Sequence, residues 1–144
     1  LSRRQRQMCI RDRNNAKSAL KRIPVNEELY RVQKEIIHDM AAKSPCVIIG
    51  RGADYILRNN DRLLSVFVIA DKETKVENVT AHYNLDRESA LELMKKTDKQ
   101  RKNYYNAYTD YKWGDITNYN MVLDRSKFGI DGCVEILKAA YDAL

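Results

Sequence analysis

The sequence has few of the residues that build disulfide or zinc frameworks. Its three cysteines, Cys9, Cys46 and Cys133, are odd in number and scattered, and no C-x-x-C pair occurs. The two histidines, His38 and His82, have no neighbours at zinc-ligand spacing. This usage favours a reducing compartment, so we expect a cytoplasmic protein with no zinc site built from its own side chains.

Long apolar runs are also lacking. No segment approaches the roughly 20 consecutive apolar residues of a membrane-spanning helix, and no apolar stretch follows the basic start as in a secretory signal. We therefore expect no membrane partner. The 144 residues suffice for one domain with its own core, and 44% hydrophobic residues argue against wholesale disorder.

Positive charge is concentrated at the start of the chain. The net charge is +6, and the first 22 residues hold eight Lys or Arg and one acid, so the remainder is close to neutral. We expect residues 1–24 to be a basic tail, disordered or artefactual, because residues 1–13, "LSRRQRQMCIRDR", show no helical or strand period and resemble translated sequencing-adapter sequence. A case for a nucleic-acid partner from charge would rest on this tail alone.

The hydrophobic pattern from residue 25 onward predicts alternating helices and strands. Apolar, β-branched runs predict buried strands at 46–50, 63–70 and 120–124. Helical patterns occupy 25–43, with Asn26 as the cap, then 71–83, a segment capped by Asp86 that reaches about Tyr108, and a terminal stripe. The order indicates an α/β fold with a parallel sheet flanked by helices, in one domain over 25–144.

An arginine follows the first predicted strand, between two glycines, in Gly50-Arg51-Gly52. Ligands of open α/β sheets bind beyond the carboxyl ends of strands, and the guanidinium fork matches phosphate oxygens. The spacing fits a phosphate-binding arginine about as well as an ion pair with a local acid such as Asp54.

Later motifs are weaker by themselves. Asp98 and Arg101 lie three residues apart on a predicted helix, a spacing that favours a solvated ion pair. Aromatic residues interleaved with lysines follow, namely Tyr104, Tyr105, Tyr108, Tyr111 and Trp113. Such interleaving can stack single-stranded bases, but the pattern favours packing of a helix end and a loop.

In combination, four stretches resemble the cytidylate kinase-like family of P-loop phosphotransferases: "PCVIIGRGADYIL", "LLSVFVIAD", "DKQRKNYYNAYTDYKWGD" and "YNMVLDRSKFGIDGCVEIL". The resemblance covers about residues 27–144. It implies a nucleoside monophosphate kinase-like fold and transfer of the γ-phosphoryl of ATP, with Mg²⁺, to a nucleoside monophosphate or similar acceptor. A nucleotide substrate is then expected, and a nucleic-acid partner is not favoured.

The resemblance also implies catalytic residues. Gly50 and Arg51 match a G-R-D motif whose arginine contacts substrate phosphate, and Asp98 and Arg101 match a D-x-x-R motif of the lid. The two arginines are expected to converge on the transferred phosphate, with Asp98 orienting Arg101.

Other positions depart from the family pattern. Gly52 stands where the family has Asp, with Asp54 as a weak stand-in on the substrate side, and Lys75 stands for a further lid arginine. In the family, the region of the last strand usually has the sequence pattern Y-D-L-x-x-x-T-S. Ser126 agrees with that pattern and is implied on the cofactor side, whereas Asn120 and Arg125 depart from it.

A glycine-rich phosphate loop is lacking, in either the G-x-x-x-x-G-K-[ST] or the G-S-G-G form. The family sheet runs 2-3-1-4-5, and the loop follows its first, central strand. The predicted strands would be the third, fourth and fifth, which leaves the edges beside the first strand unpaired. We therefore expect a fragment that is inactive alone and prone to aggregate. The alternative is a non-enzymatic nucleic-acid-binding module that uses the basic arm and the Tyr/Trp stretch.

Overall fold

The computed structural model describes residues 27–144, so the predicted tail and the predicted cap Asn26 lie outside the described residues. The chain divides into two compact units, Leu1–Ile56 and Leu57–Leu144. The boundary between a tail and a domain at residues 24 and 25 stays a prediction.

The described part of the first unit contains two helices, α1 (Glu27–Lys43) and α2 (Ala53–Ile56). The helix predicted over 25–43 is confirmed over the described residues, and its end before Pro45 reflects the steric restriction that proline imposes on the preceding residue. The two helices contact each other, and Ile37, Ala53 and Ile56 are the buried apolar residues in the described part of this unit.

The strand predicted at 46–50 is wrong. Residues 46–49 have no regular secondary structure, and Val47 and Ile49 are 68% and 63% exposed rather than buried. An apolar, β-branched sequence makes a strand only where a neighbouring strand completes its hydrogen bonds. Within residues 27–144 this segment has no such neighbour.

The second unit contains an α/β arrangement. Its elements are β1 (Val66–Ile69), α3 (Lys72–Tyr83), α4 (Arg87–Tyr108), a 3₁₀ turn (Ile116–Asn118), β2 (Met121–Asp124) and α5 (Arg125–Asp142). The strands predicted at 63–70 and 120–124 and the helices after them are confirmed. β1 and β2 pair in parallel, with Val66 opposite Met121 and Ile69 opposite Asp124. The predicted fold class, a parallel sheet flanked by helices, is thus confirmed.

Side-chain caps fix where the helices of this unit begin. Asp71 accepts a hydrogen bond from the Thr74 N–H at 2.7 Å, and Asp86 accepts one from the Ser89 N–H at 2.9 Å. The predicted cap Asp86 is therefore confirmed. Between α3 and α4, Asn84 takes the left-handed conformation with φ 52°, which asparagine tolerates better than most residues.

Aromatic rings pack the amino-terminal half of β1. Phe67 contacts Trp113 with 6.1 Å between ring centroids and Tyr119 with 4.9 Å. Tyr105 on α4 is buried, and Tyr104 contacts Tyr108 one turn later at 4.9 Å. These contacts favour the packing role predicted for the aromatic residues over base stacking.

The last helix is broken near its start. Gly129 has φ 67° and ψ −175° inside α5, so one turn precedes the break and the predicted stripe follows it. Ile130, Val134 and Leu144 of that stripe are exposed, whereas Cys133 is buried. No helix in the described range 27–144 is long and apolar enough to span a bilayer.

Candidate functional site

The carboxyl ends of β1 and β2 lie side by side and form the carboxyl edge of the sheet. Open α/β folds bind ligands at this edge. Ser126 joins the two chain segments that leave this edge, because its hydroxyl accepts the Asp71 N–H at 2.7 Å. Its own N–H donates to the Asp124 carboxylate at 2.8 Å. The Thr74 N–H, and less strongly the Ser126 hydroxyl, hold the pKa of Asp71 below its ordinary value. Ser126 thus fixes the start of α3 at this edge.

An open depression of about 330 Å³ lies beside this edge, between α3 and the start of α5. Its lining residues are Asn78, Val79, His82, Tyr83 and Arg125. Tyr83 and His82 meet edge to face with 4.7 Å between ring centroids. The depression combines aromatic surface with a guanidinium, and none of its lining residues is a carboxylate.

Hydrogen bonds fix the arginine of this depression. Arg125 Nη2 donates to Asn78 Oδ1 at 2.8 Å, and Asn78 Nδ2 donates to the Thr74 carbonyl at 2.6 Å. Sequence reasoning noted Arg125 only as a departure from the family pattern, and it missed Asn78, His82 and Tyr83. The available signal was the spacing of Asn78 and His82, four residues apart on the predicted helix and therefore on one face.

The other departure, Asn120, has a clear structural role. Its Oδ1 accepts two hydrogen bonds from Ser65, from the N–H at 2.9 Å and from the hydroxyl at 2.8 Å. The Asn120 N–H in turn donates to the Ser65 carbonyl at 3.0 Å. These bonds start the β1–β2 ladder, and an aspartate oxygen could accept the same two bonds.

The lid residues implied by the resemblance lie on the surface of the second unit. Lys75 is exposed in the first turn of α3, and it forms no ion pair within the described residues. Arg101 Nη1 lies 3.3 Å from Asp98 Oδ1 on α4, so the ion pair predicted from spacing is formed. The Arg101 side chain is 63% exposed, which leaves most of its guanidinium accessible.

The Gly50-Arg51-Gly52 bend lies in the first unit. All three residues have positive φ, 73°, 60° and 66°, a region that disfavours any residue with a Cβ. The Gln33 side chain donates to the Arg51 carbonyl at 3.4 Å, and the Ala53 N–H donates to the Gly50 carbonyl at 3.2 Å.

The Arg51 side chain is exposed and forms no ion pair among residues 27–144, so the pair with Asp54 suggested by spacing is not made. Asp54 lies in the first turn of α2 and is half-buried. The predicted residues therefore fall in two groups. Arg51 and its neighbours belong to the first unit, and Lys75, Asp98, Arg101 and Ser126 belong to the second.

Comparisons with known proteins agree on one family. The sequence model described as "Cytidylate kinase-like family" matches residues 3–127. The cytidylate kinase of Methanocaldococcus jannaschii is 29% identical over 122 residues, which cover 83% of this chain and 66% of that protein. The cytidylate kinase of Pyrococcus furiosus is 32% identical over 106 residues, which cover 72% and 54%.

A solved structure shares the fold. The crystal structure of an uncharacterized protein from Eubacterium ventriosum superposes with a TM-score of 0.78 at 34% identity, covering 85% of this chain and 69% of that one. The chain spans 66% or less of the length of these two curated relatives. The match over residues 3–127 establishes that this chain belongs to the cytidylate kinase-like family.

Proposed function

We propose that this chain supplies the acceptor-side and lid residues of a nucleotide kinase that moves the γ-phosphoryl of a nucleoside triphosphate, ATP by family resemblance, to a nucleoside monophosphate. The proposal depends chiefly on the bend at Arg51. A non-glycine residue between two glycines keeps a left-handed conformation there, which costs about 1–2 kcal/mol. Backbone strain of this kind clusters at functional sites. The exposed guanidinium of Arg51 can bind phosphate oxygens in a bidentate manner.

The lid residues would act on the same phosphate. Arg101, oriented by Asp98, and Lys75 would stabilise negative charge as it spreads over the transferred group. In the proposal Arg51 and Arg101 converge on that group from separate parts of the chain, with Gly50, Gly52 and Asp54 shaping the acceptor side.

The donor base would occupy the depression beside Ser126. The exposed ring of Tyr83 offers a stacking surface there, and the Arg125 guanidinium offers hydrogen-bond donors to a base edge. In this proposal Ser126 acts by holding the sheet edge together, and Arg125 takes the base-facing position next to it.

Mg²⁺ would be held mainly by the phosphates of the substrates, since Mg²⁺ keeps several waters and takes only one or two carboxylates. The described residues include no group of three or more potential metal ligands. Asp71 and Asp124 lie at the carboxyl ends of β1 and β2 and would be candidate carboxylates for Mg²⁺, although one oxygen of each already accepts a capping N–H. Bound Mg²⁺ would neutralise charge on the phosphates.

The sequence of residues 1–144 contains no glycine-rich phosphate loop, so we propose that this chain alone does not transfer phosphate. The test compares it with a chimera in which residues 1–24 are replaced by the strand, glycine-rich loop and first helix of the Methanocaldococcus jannaschii cytidylate kinase. With ATP or GTP, Mg²⁺ and each of the common nucleoside monophosphates, nucleoside diphosphate should form only with the chimera.

Two substitutions at Arg51 in the chimera test whether its guanidinium acts in phosphate transfer. Arg51→Ala removes the guanidinium but keeps a Cβ in the left-handed region, whereas Arg51→Gly removes both. Both should lose at least about a hundredfold in turnover, in the range found when single groups that stabilise transition-state charge are removed. The glycine variant should be more stable than the alanine variant by about 1 kcal/mol. A folded chimera without transfer, or full turnover in both variants, would contradict the proposal.

A further inference from the structure

The polar groups of the depression between α3 and α5 are mostly hydrogen-bond donors. Both ends of the Asn78 amide are engaged, by Arg125 and by the Thr74 carbonyl, so Asn78 serves to hold the arginine. Arg125 uses Nη2 for this contact, and its other N–H groups form no hydrogen bond within residues 27–144. A guanidinium has five N–H donors and no acceptor, so several donors remain for a ligand.

Acceptors are scarce in the same place. No lining residue carries a carboxylate, and the Asn78 oxygen already accepts from Arg125. Beyond the second lone pair of the Asn78 oxygen, only the His82 and Tyr83 side chains among the lining residues can offer an acceptor, and each of them can equally donate. An exocyclic amino group, which must donate, would therefore meet a cation that also donates.

Purine bases differ in this respect. Guanine and hypoxanthine present two acceptors, O6 and N7, which match the arginine fork in a bidentate manner, whereas adenine presents N7 beside an amino group. The family usually has threonine at the Arg125 position, and a threonine hydroxyl both donates and accepts. The departure at Arg125 thus changes which base edge the depression can pair with.

We infer that Arg125 makes this depression select a 6-oxopurine over adenine, so that the preferred donor is a guanosine or inosine triphosphate rather than ATP. This inference rests on the proposed function, which assigns the depression to the donor base. Asn78 acts as a positioning residue, because it holds the fork in place while the unused N–H groups face the ligand. Tyr83 supplies the stacking surface, which does not discriminate between purines.

The test uses the 144-residue chain and nucleosides without phosphates, so that the missing loop plays no part. The ¹⁵N-labelled protein is titrated with inosine and with adenosine, which differ at position 6 in carrying an oxygen or an amino group. NMR shifts of the Arg125 Nε–H and the Asn78 amide report binding at the depression. Inosine should bind on the order of tenfold more tightly than adenosine. 7-Deazaguanosine, which lacks the N7 acceptor, should bind more weakly than guanosine.

Three variants separate base selection from general charge. Arg125→Thr, which restores the usual family residue, should abolish the preference for inosine. Arg125→Lys keeps the charge without the fork and should lose most of that preference. Lys127→Thr is the matched control, since it removes the charge of an exposed neighbour that does not line the depression, and it should keep the preference.

Each other outcome counts against the inference. Equal or tighter binding of adenosine, a preference that survives in Arg125→Thr, or no shift at the Arg125 side chain with either nucleoside would overturn it. The proposed function fails separately, when the folded chimera transfers phosphate from neither GTP nor ATP. A chimera that prefers ATP while the nucleoside preference is absent would leave the proposed function standing and remove only the selection by Arg125.

Discussion

Asn120 shows how one side chain can connect two segments that are 55 residues apart. Its Oδ1 accepts both the N–H and the hydroxyl of Ser65, and Ser65 is buried. A buried N–H without a partner costs about 1–3 kcal/mol, so these two bonds matter more to stability than their number suggests. The side-chain nitrogen Nδ2 of Asn120 donates no hydrogen bond within residues 27–144, so only the oxygen of this side chain acts.

This asymmetry gives a prediction for two near-isosteric variants. Asn120→Asp keeps an oxygen in place and restores the residue usual in the family, so the free energy of unfolding should change by less than about 0.5 kcal/mol. Asn120→Leu keeps the same branched arrangement of side-chain heavy atoms but leaves the Ser65 donors unpaired, and it should cost about 1–3 kcal/mol. Urea denaturation at pH 7 measures both. An aspartate variant as unstable as the leucine variant would show that the side-chain nitrogen Nδ2 of Asn120 is needed for stability.

The sequence identified Asn120 and Arg125 as departures from a family pattern but could not show what they contact. The partners Ser65 and Asn78 lie 55 and 47 residues away in the chain, and no local period relates such positions. The ion pair between Asp98 and Arg101 was predictable, because residues three apart on a helix are neighbours by geometry. The left-handed φ of Arg51 was not predicted, because flanking glycines permit a sharp turn without specifying the conformation of the residue between them.

At the scale of elements, helices in the second unit follow their local signals closely. Asp86 was predicted as a cap and is one, and the helix after it ends at Tyr108 as expected. Arg87 and Glu73 form two hydrogen bonds of 2.8 Å that tie the first turns of α4 and α3 together. Caps and helical periods act over a few residues, which is why the sequence alone specifies them.

Capping carboxylates predict how stability depends on acid. The Ser89 N–H, followed by its hydroxyl, lowers the pKa of Asp86, and the Thr117 hydroxyl followed by its N–H lowers the pKa of Asp115. A carboxyl with a lowered pKa in the folded state stabilises above its unfolded pKa of about 3.9 and loses that contribution as pH falls through the folded value. The melting temperature should therefore fall as the pH drops below about 4.

The variant Asp86→Asn isolates one of these caps. Asparagine still accepts the Ser89 N–H but does not titrate. The melting temperature of the variant should therefore fall less than that of the wild type between pH 4.5 and pH 2.5. Asp61→Asn is the control, because Asp61 is exposed and caps no helix. Calorimetric scans across this range measure the slope. An Asp86→Asn slope that is equal to the wild-type slope would exclude this cap as a source of the acid dependence.

Strands follow local signals less reliably than helices here. The runs at 63–70 and 120–124 became β1 and β2, whereas the equally apolar run at 46–50 did not become a strand. The first two runs find each other as parallel partners, with Phe67 opposite Val122 in the register. Pairing is a property of two segments, so hydrophobicity in one segment cannot specify it.

At the scale of the whole molecule, the described chain leaves apolar surface uncovered where a parallel sheet is ordinarily buried on both faces. Val68 on β1 is 55% exposed, and the β1 edge that faces away from β2 has no strand partner among residues 27–144. An exposed edge with β-branched residues is a template for pairing with another chain. The expected tendency to aggregate, drawn from the family sheet order, thus has a specific candidate location.

A charged residue at this edge should reduce self-association without unfolding the protein. Val68→Lys places a lysine on an exposed strand position, which natural edge strands use to block pairing, and its effect on the free energy of unfolding should stay within about 0.5 kcal/mol. Leu123→Ala on β2 is the contrasting variant, because Leu123 is 3% exposed and its truncation should cost about 2–5 kcal/mol.

Light scattering against concentration, with urea denaturation of the same samples, measures both self-association and the free energy of unfolding. Scattering should fall for Val68→Lys and rise for Leu123→Ala. If Val68→Lys destabilised the chain as much as Leu123→Ala, Val68 would have to be covered in solution, and the edge would not be the site of association.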